Sequence, residues 1–178
     1  MEINAWTHRL RSLYDKAVHF QSEGQTNLET YFTSNEIEFL SSIGLRPINL
    51  YDFAEDFIES NEPDWDTFLL IAAARRDFFL YEQNGKPNPA EIASSELPGR
   101  EATLDGIKWL PRIIAKGRCF LEGGLCDDIM FSCGGDRHFL KTHHLHPADF
   151  LRAIWAAKGD DQKILAFVKK TEKRASNS

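Results

Sequence analysis

The sequence predicts an all-α protein, a compact helical bundle of about seven to eight helices in two packed halves. Two observations carry that expectation. Apolar residues recur at helical intervals along nearly the whole chain, and no stretch of about four to eight residues alternates apolar with polar as a half-buried strand does. Capping residues and glycines also fall where the periodic segments begin and end.

Residues 5–21 form the first expected helix, with Trp6, Leu10, Leu13, Tyr14, Ala17 and Val18 on its inner side and Gly24 ending it. A second begins near Ser34 or Asn35, just ahead of Glu36-Ile37-Glu38-Phe39-Leu40, and stops at Gly44. Asn49 is expected to cap a third, which carries Leu50, Phe53, Ala54, Phe57 and Ile58. The turn-forming Ser60-Asn61-Glu62-Pro63 closes it. The most hydrophobic helix covers about 64–82 and reads as the central one. Arg75 and Arg76 interrupt it on adjacent positions about 100° apart, so at least one approaches the buried face. A buried guanidinium needs a partner, either an internal carboxylate such as Asp77, Asp52 or Asp56, or a ligand.

Residues 84–103 are polar and rich in Pro, Gly and Ser, a connection long enough to be a linker or a functional cover. They divide the chain into an N-terminal helical half, 1–83, and a C-terminal helical half, 104–178. In the latter a helix starts at Thr103 or Asp105 and runs to about Leu121, where Gly123-Gly124 break it. Pro111 sits inside that span, where an interior proline costs roughly 3 kcal/mol, so the helix either starts near Leu110 or kinks there. Gly134-Gly135 open another helix reaching about His143. His146 followed by Pro147 starts a third, with Phe150, Leu151, Ile154 and Trp155, and Asp160 caps the last, with Ile164, Leu165, Phe167 and Val168.

With 178 residues and 42% apolar composition, the chain can bury a substantial core. It contains no apolar run near eighteen residues, and Met1-Glu2-Ile3-Asn4-Ala5-Trp6 has none of the basic and apolar regions of a signal peptide, so a soluble, cytoplasmic protein away from membranes is expected. Three cysteines cannot all pair with one another and sit among apolar residues, which favours reduced thiols. A net charge of −6 argues against nucleic-acid binding, which needs a basic surface. The one basic run, Lys169-Lys170-Thr171-Glu172-Lys173-Arg174, reads as a solvated helix end.

Several short motifs stand close together in the second half. Leu97-Pro98-Gly99-Arg100, Gly106, Trp109-Leu110-Pro111-Arg112, Lys116, Cys133-Gly134-Gly135-Asp136, Phe139-Leu140 and Asp149-Phe150-Leu151 resemble a bacterial family catalogued as a domain of unknown function, over about 97–169. Glu36 to Leu40 through Ala74 to Phe78 look like the N-terminal part of longer members. The resemblance implies a bacterial, cytosolic helical protein; it implies no reaction and no site residue.

The candidate site is therefore read from the residues alone. Trp109, Arg112, Lys116 and Cys119 share one helical stripe, while Ile107, Leu110, Ile114 and Leu121 define another. A stripe offering an indole beside two cations suits a small anionic ligand, held by Arg112 and Lys116 and stacked on Trp109. In the competing reading Trp109 is core, and the cations are solvated or paired with Asp127, Asp128 or Asp136. Cys133-Gly134-Gly135-Asp136-Arg137 is a glycine turn into a helix N-terminus, which presents free N–H groups to an anion, unless Asp136 caps them itself. The expected ligand-binding residues are thus Trp109, Arg112, Lys116, Cys133, Asp136 and Arg137.

Other chemistries fit the residues less well. Cys119, Cys126 and Cys133 with His138, His143, His144 and His146 supply zinc-ligand types, but neither Cys-x-x-Cys nor His-Glu-x-x-His spacing is present, so no metal and no cofactor is expected. Cys133 beside a histidine would make a nucleophile at a helix N-terminus, and whether the protein is an enzyme is left open. Asp127-Asp128 read as caps for the segment that follows rather than as an acid/base pair. The alternative function is an interaction or homo-oligomerisation module, using an apolar patch from Trp6, Phe20, Tyr31, Phe32 and Tyr51.

Overall fold

A computed structural model of the chain describes residues 5–88, 91–125 and 128–175. Cys126 and Asp127, weighed above as zinc ligand and as ion-pair or acid/base group, lie outside these residues, as do Met1 to Asn4 and Ser176 to Ser178. The fold is all-α: eight α-helices among the described residues, with one two-stranded hairpin. The chain divides into two units, residues 1–87 and 88–178.

The first unit holds α1 (Ala5–Ser22), α2 (Ser34–Ser42), α3 (Pro47–Ser60) and α4 (Trp65–Tyr81), with a 3-10 turn at Leu28–Thr30. Leu10, Leu13, Tyr14 and Ala17 follow the i, i+3, i+4, i+7 pattern of one helix face, and that face of α1 is buried, with α1 packing chiefly on α3. Thr33 caps α2, rather than Ser34 or Asn35: its Oγ1 accepts from Glu36 N while Glu36 Oε2 accepts from Thr33 N at 2.7 Å. Both donors are satisfied reciprocally, and the signal is a Thr three residues before a Glu. Similarly, α3 starts at Pro47 rather than after Asn49. Proline fixes φ for a first helical position and holds Arg46 extended, while Asn49 Oδ1 reaches back to Arg46 N at 2.9 Å.

Asp64 caps α4 through Thr67 N at 2.9 Å, and α4 buries Phe68, Ile71, Ala72, Ala74, Arg75 and Phe79. Tyr14, Phe53 and Trp65 gather around Phe68, with ring centroids 4.8–5.9 Å away. Of the two arginines, Arg75 is interior, 3% exposed. Its partner is the Gln83 side-chain carbonyl at 2.8 Å, with the guanidinium over Phe79, whereas Asp77 pairs with Arg76. Burial, reinforced by the nearby Arg46 cation, lowers Arg75 to about 10.

The second unit starts with a bridge between Ile92 and Leu125 and a 3-10 turn at Ser94–Glu96. The expected helix from residue 103 is absent there. Instead β1 (Thr103–Leu104) pairs antiparallel with β2 (Ile107–Lys108), Thr103 opposite Lys108 and Leu104 opposite Ile107. Asp105 and Gly106 form the turn with φ of 51° and 78°, the positive pair that a two-residue hairpin of matching twist requires. Helix α5 then runs Leu110–Glu122, so Pro111 falls in its first turn, where a missing N–H breaks no helical bond.

Helices α6 (Gly134–Thr142), α7 (Pro147–Ala157) and α8 (Asp161–Ala175) complete the unit. His146 Nδ1 accepts from Ala148 N at 3.2 Å and Asp160 Oδ1 from Gln162 N at 3.0 Å, so both expected caps are in place. Helix α5 packs on α7, and α7 on α8. Gly117 lies at the α5–α7 contact, where an added Cβ would stand 2.4 Å from the Ile154 Cδ1 methyl, which would have to move aside. No described helix is long and apolar enough to cross a membrane.

Candidate functional site

Asp136 is the centre of the polar structure in the second unit. It is the third residue of α6 and fully buried. Its Oδ1 accepts from the Trp109 indole Nε1 at 2.9 Å, and its Oδ2 from Lys116 Nζ at 2.5 Å and Ser132 N at 3.0 Å. Lys116, on α5, is itself only 3% exposed. Three donors on one carboxylate satisfy a charge that would be costly to bury alone.

Local backbone explains how these groups meet. Trp109 ends the hairpin at φ 72°, unusual for a bulky residue, and so leaves the axis of α5 that it was expected to share with Arg112 and Lys116. Its ring lies against Gly135, where a Cβ would stand 2.9 Å from the indole Cζ2. Ser132 also has a positive φ of 70°, turning the chain into α6. Its Oγ is buried with no hydrogen-bond partner, an orphan that asks for an explanation.

Cys133, rather than Asp136, is the N-cap of α6, and its side chain makes no capping hydrogen bond. The residue is half-buried, and its sulfur lies 3.2 Å from Lys116 Nζ. Gly134 and Gly135, the first two helical residues, are exposed. Arg137 Nη1 donates to Ser132 O at 2.8 Å, and its Nη2 would stand 3.9 Å from a Cβ on Gly134. Arg112 donates to Pro98 O at 2.8 Å and lies 6.0 Å from the Trp109 ring centre, fastening the 97–100 loop to α5.

The six residues singled out from the sequence thus separate into two groups. Trp109, Lys116 and Asp136 form an interior network, while Cys133 and Arg137 border the exposed start of α6. Arg112 holds the loop that precedes the hairpin. Residues 97–178 match the family model described as Domain of unknown function (DUF5069). Both groups fall inside the DUF5069 match. Neither the curated proteins nor the solved structures provide a match to the chain.

Sequence reasoning missed Ser132 altogether, because neither its left-handed backbone nor its orphan hydroxyl has a spacing signature. The neighbour of the Cys133 sulfur is Lys116; the Cys133–histidine pair weighed as a possible nucleophile is not among the contacts of the described residues. His143 pairs with Glu172 Oε1 at 2.6 Å, and His146 is occupied as a cap. Among the described residues no three His, Cys, Asp or Glu side chains are grouped to hold a metal ion. In the first unit, Tyr31 and Phe32 are core residues; the exposed large apolar side chains are Ile37, Ile58, Leu70 and Tyr81.

Proposed function

We propose that the 97–178 region binds a small anion, a phosphate- or carboxylate-bearing compound, at the exposed N-terminus of α6. The observation that carries this reading is a helix start with an unused cap. The Cys133 side chain accepts no backbone donor, and two exposed glycines follow it. Uncapped first-turn N–H groups and the positive end of the helix dipole favour an anion, and the glycines leave room for close approach. Arg137, which also donates to Ser132 O, adds a guanidinium charge beside Gly134.

In this reading Asp136 does not repel the ligand, because Lys116 and Trp109 already engage its carboxylate. Lys116 and Trp109 support the site from behind, and Arg112 anchors the flanking loop. The Ser132 hydroxyl, buried in the turn next to Cys133, is a further donor in want of an acceptor. The family resemblance and the free thiols Cys119 and Cys133 support a bacterial, reducing cytoplasm as the setting.

The test is calorimetric titration with inorganic phosphate and with malonate at constant ionic strength. Saturable binding that Arg137→Ala weakens about tenfold or more, while its circular dichroism stays unchanged, supports the site. Absence of binding, or equal binding by the variant, refutes it.

A further inference from the structure

We infer that the first unit carries an anion site of its own, in which the guanidinium groups of Arg75 and Arg46 together bind a phosphate group. It does not depend on the site at α6, which belongs to the second unit. Arg75 is a buried charge that the chain leaves without a countercharge. Its side chain donates to the Gln83 carbonyl at 2.8 Å and lies over the Phe79 ring, and both of these partners are neutral. Asp77, the carboxylate nearest in sequence, pairs with Arg76, and among the described residues no carboxylate pairs with Arg75. A guanidinium 3% exposed would ordinarily rest on a carboxylate, because one neutral acceptor does not offset the loss of its hydration. Loss of a proton does not relieve the charge either, since Arg75 is lowered only to about 10 and stays cationic at neutral pH.

The surroundings add positive potential instead of cancelling it. Arg46 is close enough to act on Arg75 as a like charge. It is also the N-cap residue of α3, so the positive end of a 14-residue helix begins beside it. A phosphate group turns this repulsion into attraction. A phosphate monoester carries a charge of about −1.5 to −2 at pH 7, which matches two guanidinium groups, and its three free oxygens can accept from both. A carboxylate supplies one charge and leaves the second cation uncompensated. The site is within reach of solvent, because the residues around the Arg75 guanidinium stand at the edge of the unit. Gly44, where an added Cβ would lie 3.2 Å from Arg75 Cζ, is half-buried, as are Arg46 and Gln83.

The experiment adds inorganic phosphate at fixed ionic strength to the full-length Arg137→Ala protein, which lacks the arginine of the α6 site. Nitrogen-15 NMR follows the Arg75 Nε–H and the backbone amides of Gly44 and Arg46. Saturable shifts of these three signals are expected, with the same midpoint. Adding Arg75→Met should abolish them at Gly44 and Arg46, and adding Arg46→Gln, at a half-buried position, should weaken binding about tenfold or more. A purely structural Arg75 would give no phosphate response to lose. Circular dichroism shows which variants are folded, and the parent titration needs neither of them. Signals that stay in place in the parent, or an unchanged midpoint in a folded Arg46→Gln or Arg75→Met variant, overturn the inference. The α6 site is judged separately, in the protein with Arg137 intact, by the amides of Gly134 and Gly135, so either site can fail without the other.

Discussion

The ammonium of Lys116 lies 2.5 Å from Asp136 Oδ2, where 4% of the lysine side chain and none of the aspartate's is exposed. The pair ties α5 to the first turn of α6. Through the other contacts of Asp136 it also fixes the indole of Trp109 and the backbone of Ser132. A buried pair of this kind adds little to stability relative to an apolar pair, yet losing one partner is expensive because the other charge remains without compensation.

Lys116→Met is therefore expected to destabilise the second unit by about 3–5 kcal/mol, and adding Asp136→Asn should recover part of the loss. Hydrogen exchange at the amides of α5 and α6, read for both single variants and the double, checks this. Strict additivity would show that the pair is not coupled.

Gly135→Ala should destabilise even though Ala normally favours a helix over Gly by up to about 1 kcal/mol. Its methyl would meet Trp109 Cζ2 at 2.9 Å and Cη2 at 3.1 Å, and Asp136 holds the indole in place. Overpacking of this kind costs about 1–3 kcal/mol. Urea denaturation followed by tryptophan fluorescence gives the sign directly.

Two glycines with nearly the same positive φ should respond differently to alanine. Gly44 (φ 74°) would place a Cβ 2.7 Å from Cβ and Cγ of Phe79, at the stem of that side chain, whereas Gly106 (φ 78°) faces open space. Gly106→Ala should cost only backbone strain, about 1–2 kcal/mol. Gly44→Ala adds a clash within the core of the first unit and should lower the melting temperature substantially more.

The Tyr14 hydroxyl is buried with no hydrogen-bond partner. Burial pushes it up to about 12, against the influence of Arg11 and with that of Asp15 and Asp64. Removing an unsatisfied hydroxyl leaves little to lose, so Tyr14→Phe should be neutral or stabilising at pH 7. Above pH 10 the unfolded chain ionises this tyrosine first, so its contribution to stability falls as pH rises from 10 to about 12. Arg75 runs the other way: with its folded value lowered to about 10, its contribution improves as pH rises above that. Comparing urea midpoints of wild type and Tyr14→Phe at pH 7, 10 and 11 cancels the Arg75 effect. The variant should gain on the wild type at the alkaline end.

Most helices were legible because their cues are local. Periodicity placed Leu10, Leu13, Tyr14 and Ala17 on one face, and His146 and Asp160 marked helix starts through side chains that accept from backbone N–H groups two residues ahead. The hairpin before α5 was misread, since two-residue strands are too short to show alternation; the available signal was Asp105-Gly106, a favoured hairpin turn. The candidate site was only half legible. Residue types identified Lys116, Cys133 and Asp136, but which carboxylate would take the lysine is decided by long-range packing, and the left-handed backbones of Trp109 and Ser132 have no spacing rule.

The anion site is tested most directly by following the backbone amides of Gly134 and Gly135 in nitrogen-15 NMR spectra as inorganic phosphate is added at fixed ionic strength. Saturable shifts centred on those two amides and Arg137, and lost in Arg137→Ala, are the expected result. Amides that stay in place, or shifts spread over unrelated surface residues, would contradict it.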